Sequence, residues 1–213
     1  MKAVIFDFDG VIIDLRDIYD KFYEKELGLY AKEFHDRQKE RFGMQFKDAV
    51  KLIFPNKDLG LDFTKIYERR TKMIISLLPE IIPVDKSLIV LLKELKQNNI
   101  PIVIASSNTR NVIQTVLERT NLEKYFNFIV DRDDVTNSKP APDLYVKACK
   151  QLNLAPEDCI VFEDAINGIK SAKLANCKCI AILTKYFVKN DLNEADLVIS
   201  NFNEINLKKL KEL

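Results

Sequence analysis

Six short apolar runs, most of them separated by a stretch of helical periodicity, constrain the fold of this chain more than any other feature. They are Ala3–Phe8, Ile100–Ala105, Phe128–Val130, Cys159–Phe162, Cys179–Leu183 and Leu197–Ile199. Runs this short and this uniformly apolar suit strands buried on both faces. Between the second and third, Val112, Ile113, Val116 and Leu117 form a helical stripe. Leu88, Leu91, Leu92 and Leu95 form another before the second run, with Asp85 placed as its N-cap. The alternation predicts an α/β fold: a Rossmann-like, doubly wound, mostly parallel sheet with helices on both faces.

The alternation fails in one place. From about Leu15 to about Pro79 only helical patterns occur: Ile18 with Phe22, then Phe34 to Phe42, Ala49 to Ile53 and Ile66 to Leu78, punctuated by Gly28, Gly43, Pro55 and Gly60. Of the 13 Phe and 7 Tyr residues, ten fall in this stretch, enough to give it a core of its own. We therefore expect an all-helical cap domain at 15–81, inserted into a core domain made of 1–14 and 82–213. Its entrance (Ile13 to Arg16) and exit (Leu77 to Asp85) would form a double hinge.

Composition narrows the class of partner. The 213 residues carry 33 Lys plus Arg against 32 Asp plus Glu, a net charge of +1, so no global field draws nucleic acid or an anionic membrane. No window approaches the roughly 20 apolar residues of a membrane span, and the first residues lack the basic stretch and apolar run of a leader. A cytoplasmic protein is expected. Cys149, Cys159, Cys177 and Cys179 form neither a C-x-x-C pair nor a zinc-like double pair, which points to buried free thiols.

In an open parallel sheet, the loops leaving the carboxyl ends of the strands line the ligand crevice. After the first run stand Asp7 and Asp9, followed by Gly10. After the second come Ser106, Ser107 and Asn108; after the third, Lys139 in "NSKPAPDLY"; after the fourth, Glu163 and Asp164 in "VFEDAINGIKSA". Singly, each has a structural explanation: Ser106 to Thr109 as a helix cap, Lys139 as a solvated loop residue, Glu163 and Asp164 as a cap for the next helix. Four such groups at successive strand ends point instead to one site.

If the four carboxylates converge, each like-charge pair near 4 Å repels by roughly 4 kcal/mol at an effective dielectric of about 20. A divalent cation would relieve this. An oxygen-only donor set favours a hard ion, and Mg2+ suits a site that also takes up a phosphate oxygen. A Ser106 hydroxyl and a Lys139 ammonium would complete a cradle for a phosphoryl group, with Asp7 placed to attack it. Asp9 could then serve the leaving oxygen as acid and the incoming water as base. Two residues apart on an extended strand, Asp7 and Asp9 share a face, and Gly10 lets the chain turn beside them.

In order and spacing, "DFDGVIID", "IASSN", "SKPAPDLY" and "VFEDAINGI" resemble the four signature motifs of the haloacid dehalogenase superfamily. The helical insert resembles the small cap of its β-phosphoglucomutase-like subgroup. This resemblance implies that Asp7 is a nucleophile that becomes an aspartyl phosphate and that Asp9 is the general acid/base. It implies that Ser106 binds the phosphate and that Lys139 stabilises it and orients Asp7. Mg2+ would be held by the Asp7 carboxylate, the Asp9 backbone carbonyl and Asp164, with Glu163 a direct or water-mediated ligand. Gly10, Val11 and the Ser107 backbone would surround the phosphate.

The chain also departs from the pattern. Leu15 follows Asp14 where many relatives carry Ser or Thr, Tyr19 stands where β-phosphoglucomutases have a histidine, and Thr109 and Arg110 fall opposite their lysine and asparagine. The expected activity is a magnesium-dependent phosphatase acting on a small, sugar phosphate-like metabolite, as a monomer or homodimer. The alternatives are a β-phosphoglucomutase-type phosphotransferase and, from another class, a non-catalytic phosphate-sensing or partner-binding module. Arg41 and Arg110 are either contacts for a substrate anion or solvated helix charges, and His35 reads as a helix-surface residue.

Overall fold

All six apolar runs form strands in the computed structural model, which describes residues 1–78 and 84–213. They are β1 (Ala3–Phe6), β2 (Ile102–Ala105), β3 (Phe128–Val130), β4 (Cys159–Glu163), β5 (Lys178–Ile182) and β6 (Leu197–Ile199). The strands make one sheet in the order β3-β2-β1-β4-β5-β6, and every pairing is parallel. Period-two alternation explains their composition. Val4, Phe6, Ile104 and Phe162 belong to one buried apolar cluster, whereas Ala3, Ile5, Val103 and Val161 belong to the other.

The insert contributes α1 (Arg16–Leu27), α2 (Ala31–Asp36), α3 (Gln38–Arg41), α4 (Phe46–Ile53) and α5 (Phe63–Leu77). After it come α6 (Lys86–Gln97), α7 (Arg110–Thr120), α8 (Asp143–Leu152), α9 (Ile166–Leu174) and α10 (Leu207–Glu212). The leucine stripe of α6 and the valine and isoleucine stripe of α7 pack in the first cluster; Leu144, Tyr145 and Ala148 of α8 and Ile169 and Ala172 of α9 pack in the second. Asp85 caps α6 as expected, its side chain accepting from Ser87 N at 2.8 Å.

Two strand ends differ by two residues from the sequence expectation, and the ends of β4 and β5 by one. β1 stops at Phe6 and not at Phe8, because Phe8 O turns to accept from Ile12 N and Ile13 N while Asp7 N still reaches Phe162 O at 2.9 Å. β2 begins at Ile102, since Pro101 has no N–H to give the ladder and offers only its carbonyl, to Val4 N.

In the insert, Tyr23 stacks on Phe46 with ring centroids 3.9 Å apart, and Phe34 meets both rings edge-on. The insert does not keep a core of its own as expected: these rings belong to the same buried cluster as Val4 and Phe6 of the sheet, because the insert packs its apolar side onto the core domain. The expected exit of the insert, Leu77 to Asp85, and with it the 81/82 boundary, includes residues 79–83, which lie outside the described residues. All four cysteines are free and buried. Among the described residues, no helix is long and apolar enough to cross a membrane.

Candidate active site

The strand order reverses at β1, which has β2 on one side and β4 on the other, so the loops after these three strands open into one crevice. Asp7, Asp9, Ser106, Ser107 and Asp164 line a single cavity of about 90 Å³ there, together with Arg16, Tyr19, Arg41 and Arg70 from the insert. Lys139, from the loop after β3, lies beneath it with a fully buried ammonium.

Lys139 joins two carboxylates. Its Nζ donates to Asp7 Oδ1 and to Glu163 Oε1, both at 2.6 Å. Glu163 accepts further from Tyr145 OH at 2.6 Å and, on its other oxygen, from the backbone N–H groups of Asp164 and Ala165. Four donors fix it in place, so Glu163 orients Lys139 and ties it to α8. Gly168 makes this possible, since a Cβ there would lie 1.8 Å from Glu163 Oε1. Burial raises the Asp7 carboxyl well above its ordinary range, Lys139 opposes that rise, and Glu163 and Asp164 add to it. Burial works against the Lys139 charge too, but Asp7 and Glu163 outweigh it and hold the ammonium above its usual pKa.

Asp164 faces Asp7 from the end of β4. Burial pushes its carboxyl up to about 7, against the pull of Arg16, which donates to its Oδ2. Arg16 also clasps Asp14, at 2.8 and 2.7 Å, and lies 4.3 Å over the ring of Tyr186. Gly10, at φ +91°, is required here twice over: the left-handed backbone favours glycine, and a Cβ would sit 2.3 Å from Asp164 Oδ2.

Asp7, Glu163 and Asp164 each place a carboxylate oxygen within 4.8 Å of the others. A buried, oxygen-only cluster of this kind fits a hard divalent cation. Because Glu163 is already engaged by four donors, Asp7 and Asp164 are the carboxylates with room for it.

Asp9 sits apart from this cluster. Its Oδ2 accepts from Asn108 Nδ2 at 3.0 Å, while its buried Oδ1 finds no partner among the described residues. Burial raises its carboxyl to about 6, with Arg70 the main opposing charge. The Asn108 amide also donates to Tyr19 OH at 2.5 Å and accepts from Arg70 at 2.9 Å. Ser106 Oγ accepts from Asn108 N, and Ser107 Oγ donates to Gly43 O, fastening the β2 loop to the insert.

Most of the expected residues therefore converge: Asp7, Asp9, Gly10, Ser106, Ser107, Lys139, Glu163 and Asp164 gather at the carboxyl ends of four neighbouring strands, whereas Val11 packs its side chain into the first apolar cluster and does not line the cavity. Arg41 lines the cavity but is spent on Asp20 and Phe34 O. Arg110 does not line it, and bonds instead to Asp131, Asp134 and Ile129 O. His35 is half-buried, 3.8 Å from Asp20, and not a free surface residue. Sequence reasoning assigned no role to Arg16, Arg70 or Tyr145, although Tyr145 lies inside a quoted motif.

The model for haloacid dehalogenase-like hydrolases matches residues 4–182. The chain belongs to the haloacid dehalogenase-like hydrolase family. Among curated relatives of this hydrolase, a phosphorylated carbohydrates phosphatase of Thermotoga maritima is 30% identical over 204 residues, covering 93% of this chain and 90% of its own. A β-phosphoglucomutase of Bacillus subtilis is 29% identical, covering 100% of this chain and 95% of its own. Among solved structures, a β-phosphoglucomutase from Clostridium difficile superimposes with a TM-score of 0.82 at 27% identity, covering 100% of this chain and 96% of that one.

Proposed function

We propose that this hydrolase is a magnesium-dependent phosphatase that cleaves a small phosphate monoester through an aspartyl phosphate on Asp7. The observation that carries the reading is the pairing of two aspartates, one buried and one half-buried, in one cavity with different surroundings. Asp7 is held by Lys139 beside an acidic cluster, and Asp9 stands clear of that cluster with one oxygen unpartnered. A nucleophile needs its charge neutralised against the incoming phosphoryl group, and an acid/base needs a raised pKa and a free oxygen. Bound to Asp7, the Asp9 carbonyl and Asp164, Mg2+ would supply charge neutralisation for the phosphoryl oxygens.

Lys139 would orient Asp7 and stabilise the transferred oxygens, with Ser106 and Ser107 lining the phosphoryl pocket and the Gly10 and Val11 backbone beside it. Asp9 would protonate the leaving oxygen and then take a proton from water. At about 90 Å³ the cavity is far smaller than the roughly 300 Å³ or more of typical small-molecule pockets, so the insert must swing aside to admit a sugar-sized substrate. The name of the Thermotoga relative supports a small phosphorylated metabolite as the partner, and a net charge of +1 supplies no general attraction for a polyanion.

A second reading, β-phosphoglucomutase-type transfer, is favoured by the Bacillus relative, whose match covers the whole of this chain. Against it, Tyr19 holds the position of the mutase histidine and its hydroxyl is bound by Asn108. The test is phosphate release from p-nitrophenyl phosphate with Mg2+, beside a coupled assay for glucose 6-phosphate from β-glucose 1-phosphate. Steady phosphate release that stops with chelator and falls below about a tenth in Asp7→Asn is expected. Glucose 6-phosphate outpacing phosphate would transfer the assignment to the mutase.

A further inference from the structure

Three guanidinium groups are buried among the described residues: Arg16, Arg41 and Arg70. Two of them have carboxylate partners. Arg16 pairs with Asp14 and Asp164, and Arg41 pairs with Asp20 at 2.9 Å. Arg70, on α5 and 5% exposed, forms no ion pair among the described residues. It donates to two neutral oxygens, Tyr23 OH at 2.6 Å and Asn108 Oδ1 at 2.9 Å, and its Nε–H has no partner. The rings of Tyr19 and Tyr67 flank it, with centroids 4.9 and 5.1 Å away.

A buried cation is costly unless it is paired, and Arg70 borders the same cavity as Asp7 and Asp9. The Asn108 amide fixes its place there. One end of that amide holds Asp9 Oδ2 and the other holds Arg70, so the two lie at most about 8 Å apart. Two residues that line one small cavity thus each keep a buried group without a partner, the Nε–H donor of Arg70 and the Oδ1 acceptor of Asp9.

We propose that Arg70 determines specificity by binding a second anionic group, a carboxylate or a phosphate, that the substrate carries within a few bonds of its ester oxygen. A planar guanidinium matches either group in a two-point contact. The short span from Asp9 to Arg70 across the Asn108 amide favours a short backbone between the two anions. A substrate offering only hydroxyls would satisfy Asp9 Oδ1 but leave the Arg70 charge uncompensated. This assignment rests on the phosphatase reading, with Asp9 at the ester oxygen.

The experiment compares phosphate release by the magnesium-loaded enzyme from three esters of equal backbone length: 2-phosphoglycolate, ethylene glycol bisphosphate and 2-hydroxyethyl phosphate. At least one of the first two is expected to exceed the third by about tenfold or more in kcat/KM, and the stronger one identifies the anion. In Arg70→Gln that ratio should fall to about threefold or less, with partial recovery in Arg70→Lys. A merely structural Arg70 would lower all three rates together and preserve the ratio, which would overturn the proposal. So would a wild-type preference for the neutral ester, a result that needs no variant to fold. Hydrolysis of p-nitrophenyl phosphate with none of the three accepted overturns this proposal alone; no hydrolysis of any ester overturns the phosphatase reading and this proposal with it.

Discussion

Replacing Lys139 by methionine keeps nearly the volume of the side chain, shortens it by one atom and removes one charge. In the structure that charge joins Asp7 Oδ1 and Glu163 Oε1 at 2.6 Å each, with no solvent contact on the lysine. Its loss leaves two carboxylates facing each other in a buried site, beside Asp164. Removing one partner of a buried pair costs about 3–5 kcal/mol. For a chain of this length, each kcal/mol moves the midpoint by about 2–4 °C, so a fall of roughly 6–20 °C in Tm is expected.

The sign of the pH dependence is fixed as well. Without the ammonium, the folded-state pKa of Asp7 rises further above its unfolded value. The penalty therefore grows above the unfolded carboxylate pKa near 4 and fades as pH falls and Asp7 takes up a proton. Thermal unfolding followed by circular dichroism at pH 7.5 and pH 4.5, without added metal, measures both effects. Glu163→Gln placed on the methionine variant should recover part of the loss, because it removes one of the stranded charges. A methionine variant melting within about 2 °C of wild type at pH 7.5, or a deficit that widens on acidification, would refute the reasoning.

Asp9 carries the opposite expectation: burial raises its carboxyl to about 6, so the cost of its ionisation to folding sets in above the unfolded pKa near 4 and is complete above about 6. Asp9→Asn should be more stable than wild type at pH 7.5, by up to about 3 kcal/mol, and equal to it below pH 4, as urea titrations at the two pH values would show. Equal stability at pH 7.5 would mean that Asp9 is better solvated than its surroundings indicate. Gly168→Ala should lower both Tm and phosphate release, since its Cβ would displace Glu163 and so release Lys139. Unchanged turnover in that variant would separate Glu163 from the catalytic centre.

The sheet was legible because its strands are buried on both faces, so that every residue from Val103 to Ala105 or from Ile160 to Phe162 must be apolar. The converging site was legible for a topological reason: the polar residues that follow such runs can only emerge at one edge of a parallel sheet. What escaped detection lies on helices. In the sequence, Arg16 and Arg70 are charges among many on amphipathic segments, and nothing local distinguishes a buried arginine from a solvated one. Arg110 shows the reverse case, a candidate drawn away by Asp131 and Asp134 after β3. Asn108 was visible at a strand end, but its bridging role depends on α1 and α5 both packing against the β2 loop, a contact no spacing encodes. Tyr145 was hidden because its partner is Glu163, 18 residues further on across the second apolar cluster.

The ion pairs at the crevice are among the most distant in the chain: Lys139 meets Asp7 across 132 residues, and Arg16 meets Asp164 across 148. Closing loops of that length costs entropy before any contact rewards it, so these pairs cannot nucleate folding. While β4 is still undocked, Asp7 and Asp9 hang at the tip of β1 in water, where their charges cost little. The repulsion arises only when β4 zips against β1 and delivers Glu163 and Asp164. Electrostatic frustration is therefore confined to a late step, after the apolar strands have chosen their register, and a chain that cannot yet do chemistry is spared the strain of the site.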